Sequence, residues 1–259
     1  MVSRVIKIAY LQLHLAWEDW EANTRQISRL IDGMGQDVDI ILLPEMFGSG
    51  FTMEPGRVAQ PMSGPVVQWM STLALKKDCH VMGSLVIEEE GKFYNRLINA
   101  GPTETVSFYD KRHLFSLAGE DEKYTAGNHR LIDTIKGWRI CPLVCYDLRF
   151  PVWSRNDIGY DILVYVVNWP EPRIDAWRTL LKARAIENQC YVVGVNRVGR
   201  DQNEFNYVGA SSAFDMSGGL IHQSGPDEEL HVLEFHREPL GQFRRAYNFL
   251  ADKDSYSIQ

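Results

Sequence analysis

Residues 4–12 alternate, with Ile6, Ile8 and Tyr10 on one side of an extended chain and Val5, Lys7 and Ala9 on the other, which predicts a strand. A helix is expected over 18–34, with Ile27, Leu30 and Ile31 as its inward stripe. Residues 38–43 are apolar without a break, the pattern of a strand covered on both faces, and the run stops at Pro44-Glu45. Ser63-Gly64-Pro65 opens a second helix, with Ser63 as its cap, running to about Asp78. Three strands follow at 80–88, 92–100 and 103–109, joined at Glu90-Gly91 and Gly101-Pro102 as a meander.

After a polar loop over 110–128, strands are expected at 129–135 and 138–144 around Lys136-Gly137. Next come a short helix starting near Pro151, a buried strand at 162–167, a long helix over 175–188 and a strand at 189–195. Residues 207–215 and 220–222, separated by the turn Ser217-Gly218-Gly219, and residues 230–235 read as further strands, whereas 237–259 is polar and aromatic without a period. Helix and strand alternate on both sides of a central group of hairpins. The expected fold is therefore α/β: two sheets packed face to face with helices on both outer surfaces, a four-layer α-β-β-α sandwich. No repeat, low-complexity tract or linker divides residues 1–259, which predicts a single domain.

Composition narrows the partners. Lys and Arg number 27 against 34 Asp and Glu, a net charge of −7, with no basic block or stripe, which argues against nucleic acid and anionic membranes. No apolar run approaches the ~18 residues that span a bilayer. The first residues carry charges inside their apolar segment and lack the core and cleavage site of a signal peptide. Four cysteines, none at Cys-x-x-Cys spacing, speak against a disulfide framework or a structural zinc site, and reduced thiols in a cytoplasm fit best.

Cys145 is where chemistry enters. The strand ending Ile140-Cys141-Pro142-Leu143-Val144 stops at this thiol and turns into Tyr146-Asp147-Leu148-Arg149-Phe150-Pro151, a way of presenting a nucleophile at a sheet edge. Cys79, Cys141 and Cys190 read as small buried hydrophobes. Glu45 and Lys111 also follow apolar strands, in Leu43-Pro44-Glu45-Met46 and Tyr109-Asp110-Lys111-Arg112. Taken singly, each could be a solvated loop residue. Together they supply what amide hydrolysis through a thiol requires: a carboxylate to take the thiol proton and return it to the leaving nitrogen, and a cation to lower the thiol pKa from ~8.5 and hold an oxyanion. The backbone N–H of Tyr146 is a candidate for a second oxyanion donor.

These segments, with Tyr109-Asp110-Lys111-Arg112-His113-Leu114-Phe115 and Leu143-Val144-Cys145-Tyr146-Asp147-Leu148-Arg149-Phe150-Pro151, resemble the signatures of the carbon-nitrogen hydrolase, or nitrilase, superfamily. The resemblance runs from the first strand to about Asp215. It implies the four-layer sandwich, Glu45 as base, Lys111 as cation and Cys145 as nucleophile. A second family glutamate maps by spacing to Glu120, beside Asp121 and Glu122. Within the superfamily, residues 109–115, 144–156, 168–173 and 183–188 are most similar to bacterial omega-amidases, which deamidate 2-oxoglutaramate and 2-oxosuccinamate through a thioester. Another small amide, a carbamoyl compound or a nitrile is the alternative substrate.

A substrate of that kind needs a cation at its carboxylate end. Arg173 is the candidate, with Trp169 as an apolar wall, whereas Arg149, two residues after Asp147, reads as structural, pairing locally at the elbow. His113 and His129 lack a second ligand at metal spacing, so no metal and no cofactor is expected. The resemblance also implies a homodimer paired through 151–156 and 175–188, with Trp153 and Trp177 as candidate contacts.

Overall fold

The alternation along the first strand is what divides the molecule into layers. In a computed structural model describing residues 3–257, Ile6, Ile8 and Tyr10 of β1 (Val5–Gln12) enter a core between two sheets, and Ala9 and Leu11 enter a second core beneath helices. The same division holds on β2 (Ile40–Leu42), where Ile40 and Leu42 face the opposite sheet and Ile41 faces the helices. An unbroken apolar run is thus buried on both faces, as a parallel strand between layers must be.

The first sheet adds β3 (His80–Glu89), β4 (Lys92–Ala100), β5 (Val106–Asp110) and, at its other edge, β14 (Glu229–His236), in the order β14-β1-β2-β3-β4-β5. Strands β1, β2 and β3 run parallel; β4, β5 and β14 close the sheet antiparallel. The second sheet is ordered β13-β12-β9-β8-β7-β6, from β6 (Asp133–Ile135), β7 (Trp138–Val144), β8 (Ile162–Val166), β9 (Tyr191–Val195), β12 (Ser212–Phe214) and β13 (Leu220–Gln223). Its centre, β7-β8-β9, is again parallel. A separate hairpin pairs β10 (Val198–Arg200) with β11 (Asn206–Val208).

Helices α1 (Trp20–Asp32) and α3 (Pro65–Lys77) cover the first sheet with Ile27, Ile31, Val66, Met70 and Leu73. Helix α6 (Ile174–Asn188) covers the second, and Gly194 on β9 lets it close in: a Cβ there would meet Trp177 and Leu181 at 2.5 and 2.6 Å. Short helices α2 (Pro55–Val58), α4 (Glu120–Lys123) and α5 (Pro151–Ser154) sit in connections.

Several expectations are corrected. Leu30 is exposed, whereas Ile27 and Ile31 face the sheet beside the buried Asn23 and Thr24. Gly64, not Ser63, caps α3. The strand expected over 207–215 is broken at Gly209-Ala210, both at positive φ, so that β11 belongs to the hairpin and β12 to the second sheet. Residues 237–246 form α7 (Arg237–Ala246), whose single buried residue, Leu240, gives too weak a stripe to read from the sequence. Trp153 and Trp177 are core residues, their indole N–H groups bound to Tyr109 Oη at 2.9 Å and Ala210 O at 2.7 Å, and neither is available to a partner. Among the described residues no helix is long and apolar enough to cross a membrane.

Candidate active site

Every central parallel strand points its carboxyl end at one region, where open sheets place ligands. Glu45 follows β2 by way of Leu43-Pro44, Lys111 follows β5, Cys145 follows β7, and Asn168 and Trp169 follow β8. Strands from both sheets therefore converge there. Glu45, Lys111 and Glu120 are wholly buried and Cys145 is 9% exposed.

Lys111 Nζ lies 3.0 Å from Glu45 Oε1 and 2.8 and 3.0 Å from the two Glu120 oxygens. Asn95 on β4 donates to Glu45 Oε1 at 2.8 Å and Glu120 Oε1 at 3.1 Å. On the other side of Glu45, Oε2 accepts from Asn168 N at 2.9 Å and Asn168 Nδ2 at 3.2 Å. Glu120, at the start of α4, also accepts the Phe115 N–H at 2.6 Å. Each buried carboxylate thus has its oxygens occupied by N–H donors, the condition under which burying charge is tolerable.

The electrostatics follow from burial. Desolvation works against the Lys111 ammonium, but Glu120 and Glu45 outweigh it and hold the proton on. Burial raises Glu120, with Lys111 opposing and Glu45 adding to the rise. Burial and then Glu45 push the Cys145 thiol well above its ordinary range, and Lys111 and the Asn168 backbone N–H offset only part of this. Lys111 pulls the thiol pKa down, as expected, but the dry surroundings and the Glu45 carboxylate outweigh it. A neutral thiol facing a carboxylate suits proton transfer during attack better than a standing thiolate.

The thiol is presented by a strained turn. Cys145 has φ +47°, a conformation that costs a non-glycine residue roughly 1–3 kcal/mol. Asp147, fully buried, holds it: its carboxylate accepts from Val144 N at 3.0 Å, Tyr109 Oη at 2.7 Å, and His113 N and Nδ1 at 3.1 and 2.8 Å. One side chain so ties the nucleophile's turn to the segment carrying Lys111.

Cys145 opens onto a cavity of about 320 Å³ walled by Phe51, Phe115, Tyr146, Trp169 and Tyr207. Arg173 lies here as expected, its guanidinium 4.9 Å from the Phe115 ring centre, and Trp169 is a buried wall whose Nε1 donates to Arg173 O at 2.6 Å. Arg149 corrects its structural reading. Asp147 is taken up by other donors, and Arg149 instead lines the cavity, 5.0 Å from the Trp169 ring centre.

The sequence reading missed Asn95, Asn168 and the hairpin of β10 and β11, which brings Asp201, Asn203, Phe205 and Tyr207 to the cavity. An asparagine in a buried stretch of strand, as at Asn95, is the kind of signal that marks such a residue.

A family model described as carbon-nitrogen hydrolase matches residues 7–245. The chain is 44% identical to the omega-amidase YafV of Escherichia coli over 255 residues, 98% of each chain. It is 30% identical to a 2-oxoglutaramate amidase of Bacillus subtilis, covering 96% of this chain and 98% of that one. Among solved structures, a CN-hydrolase superfamily protein of Xanthomonas campestris with an arsenic adduct in its active site superposes with a TM-score of 0.97 at 37% identity, over 99% and 100% of the two chains.

Proposed function

The chain belongs to the carbon-nitrogen hydrolase family, and from that premise we propose that it is an omega-amidase, converting 2-oxoglutaramate or 2-oxosuccinamate to the 2-oxo dicarboxylate and ammonia. The observation that carries this reading is that one cavity holds the Cys145 thiol together with two guanidiniums, Arg149 and Arg173, while Glu45 and Lys111 meet behind it. The similarity to enzymes named for this activity supports the choice among amides.

In the proposed reaction Glu45 takes the Cys145 proton as sulfur attacks the amide carbon. Lys111 and the Tyr146 backbone N–H hold the oxygen as it becomes negative. Glu45 returns the proton to the leaving nitrogen, ammonia departs, and a thioester remains. Water, deprotonated by Glu45, then frees the acid and restores the thiol. Glu120 keeps Lys111 charged and aimed. Arg173 and Arg149 bind the carboxylate at the far end, and Trp169 walls the carbon chain.

A single hydrolase domain over 1–259, a cytoplasmic location and a homodimer complete the proposal. Four unpaired thiols support the location. Exposed Val152 on α5 and Ile186 on α6, rather than Trp153 and Trp177, are the apolar groups available for pairing. Sedimentation at micromolar concentration tests the dimer. Ammonia release from 2-oxoglutaramate tests the activity: the wild type releases it and Cys145→Ala does not, and turnover by the variant would remove the thioester route.

A further inference from the structure

Outside the cavity, His222, Glu229 and His231 bring two imidazoles and a carboxylate together, with one ligand atom of each within 4.8 Å of the others. His222 Nε2 lies 3.1 Å and His231 Nδ1 3.3 Å from the same oxygen, Glu229 Oε1. The rings stack, 3.5 Å between centres and 6° from parallel. We propose that these three side chains form a binding site for a divalent late first-row metal ion, of which zinc is the type, joining the outer strands of the two sheets.

The placement follows from topology. β13 is the edge of the second sheet and β14 the edge of the first, and the chain crosses from one to the other through residues 224–228. Glu229 and His231, two apart on β14, share a face of that strand. They meet His222 across the gap between sheets. The crossing is held by groups outside the cluster: Gln12 Nε2 donates to Gly225 O at 2.8 Å and Asp227 O at 2.7 Å, and Ser224 N donates to Ser211 O at 2.8 Å. The backbone under the three ligands is therefore set before any ion arrives. Tyr10, directly opposite His231 in the strand pairing, packs its ring 5.8 Å from that imidazole and 6.2 Å from His222.

The donor set chooses the class of ion. Two imidazole nitrogens and one carboxylate oxygen suit zinc and its neighbours, whereas magnesium and calcium want oxygens alone. The side chains are 26 to 33% exposed, leaving solvent a way in and a position for water. At zinc–nitrogen distances of about 2.0–2.1 Å, two ligands of one tetrahedral ion stand roughly 3.4 Å apart. Seating the ion asks the stacked rings to tilt so that His222 Nε2 and His231 Nδ1 direct lone pairs at it, each imidazole carrying its proton on the other nitrogen.

The test uses chelator-stripped Cys145→Ala protein, so that the reactive thiol does not compete for the ion. Calorimetric titration with zinc is expected to give one ion per chain, with a higher melting temperature that magnesium does not produce, since an ion bound only by the folded form stabilises it. Adding His222→Ala or His231→Ala weakens zinc binding at least about tenfold, the least that losing even an outer-shell partner costs. Adding Glu229→Gln, which preserves shape, gives the same loss with an unchanged metal-free melt. No zinc binding by the parent, or equal affinity in the three variants, overturns the site.

Discussion

Asn168 holds Glu45 through three hydrogen bonds: its side-chain amide donates to the Glu45 main-chain oxygen at 2.8 Å and to Oε2 at 3.2 Å, and its backbone N–H to Oε2 at 2.9 Å. The two residues follow strands of opposite sheets, so this pair joins the halves of the sandwich at the carboxylate that must accept a proton. Replacing Asn168 by Ala keeps the backbone bond and frees the side of Glu45 that the amide restrained. The expected result is a fall in kcat of about 10- to 100-fold with KM little changed, because a small misplacement of a catalytic group costs rate before affinity. Steady-state kinetics on 2-oxoglutaramate decide it, and a KM effect alone would make Asn168 a substrate contact.

Glu120→Gln tests the shared ammonium. With Glu120 neutral, Lys111 keeps one carboxylate partner instead of two and loses the larger of the two charges that hold its proton on. A loss of about 10²–10³ in kcat is expected, the size seen when one preorganised electrostatic partner is removed. If the fold survives, as circular dichroism would report, and the rate does not drop, Glu120 is a packing residue.

Alkylation reads the Cys145 thiol directly. Its surroundings raise the pKa, so the thiolate fraction, and with it the iodoacetamide rate, climbs with pH through the neutral range and does not level off below the ordinary thiol value. Glu45 is one cause of the rise, hence Glu45→Gln shifts the rate profile to lower pH even as turnover is lost. Cys79, Cys141 and Cys190, at most 1% exposed, label only on unfolding. A rate already flat across neutral pH would mean a standing thiolate and reverse this account.

The two guanidiniums predict selectivity. Removing either charge, in Arg173→Gln or Arg149→Gln, is expected to cost about 10- to 100-fold in kcat/KM for 2-oxoglutaramate, since a charge-assisted bond contributes roughly 1.5–3 kcal/mol. A neutral aliphatic amide lacks the carboxylate and should lose much less. Equal losses on both substrates would place the arginines in the framework of the pocket instead.

Local order along the chain was enough for the layers and the reacting groups. A strand buried on both faces needs an unbroken apolar run, and where such a run ends in Glu45 or Cys145 the polar group falls at the sheet's end whatever the rest of the chain does; Lys111 follows β5, an edge strand with Val106 and Phe108 exposed. Glu120 was readable only by spacing to a family pattern, because nothing local separates it from Asp121 and Glu122. What the three-dimensional packing decided is who faces whom. Asn95 reaches both glutamates because β4 lies between β3 and β5, a neighbour relation set by long-range pairing. Asp147 is claimed by donors from a segment more than thirty residues away, which leaves Arg149 to the cavity. The raised Cys145 pKa is likewise a property of the closed site: the charge pattern in the sequence pointed downward, and the water excluded by two packed sheets reversed it.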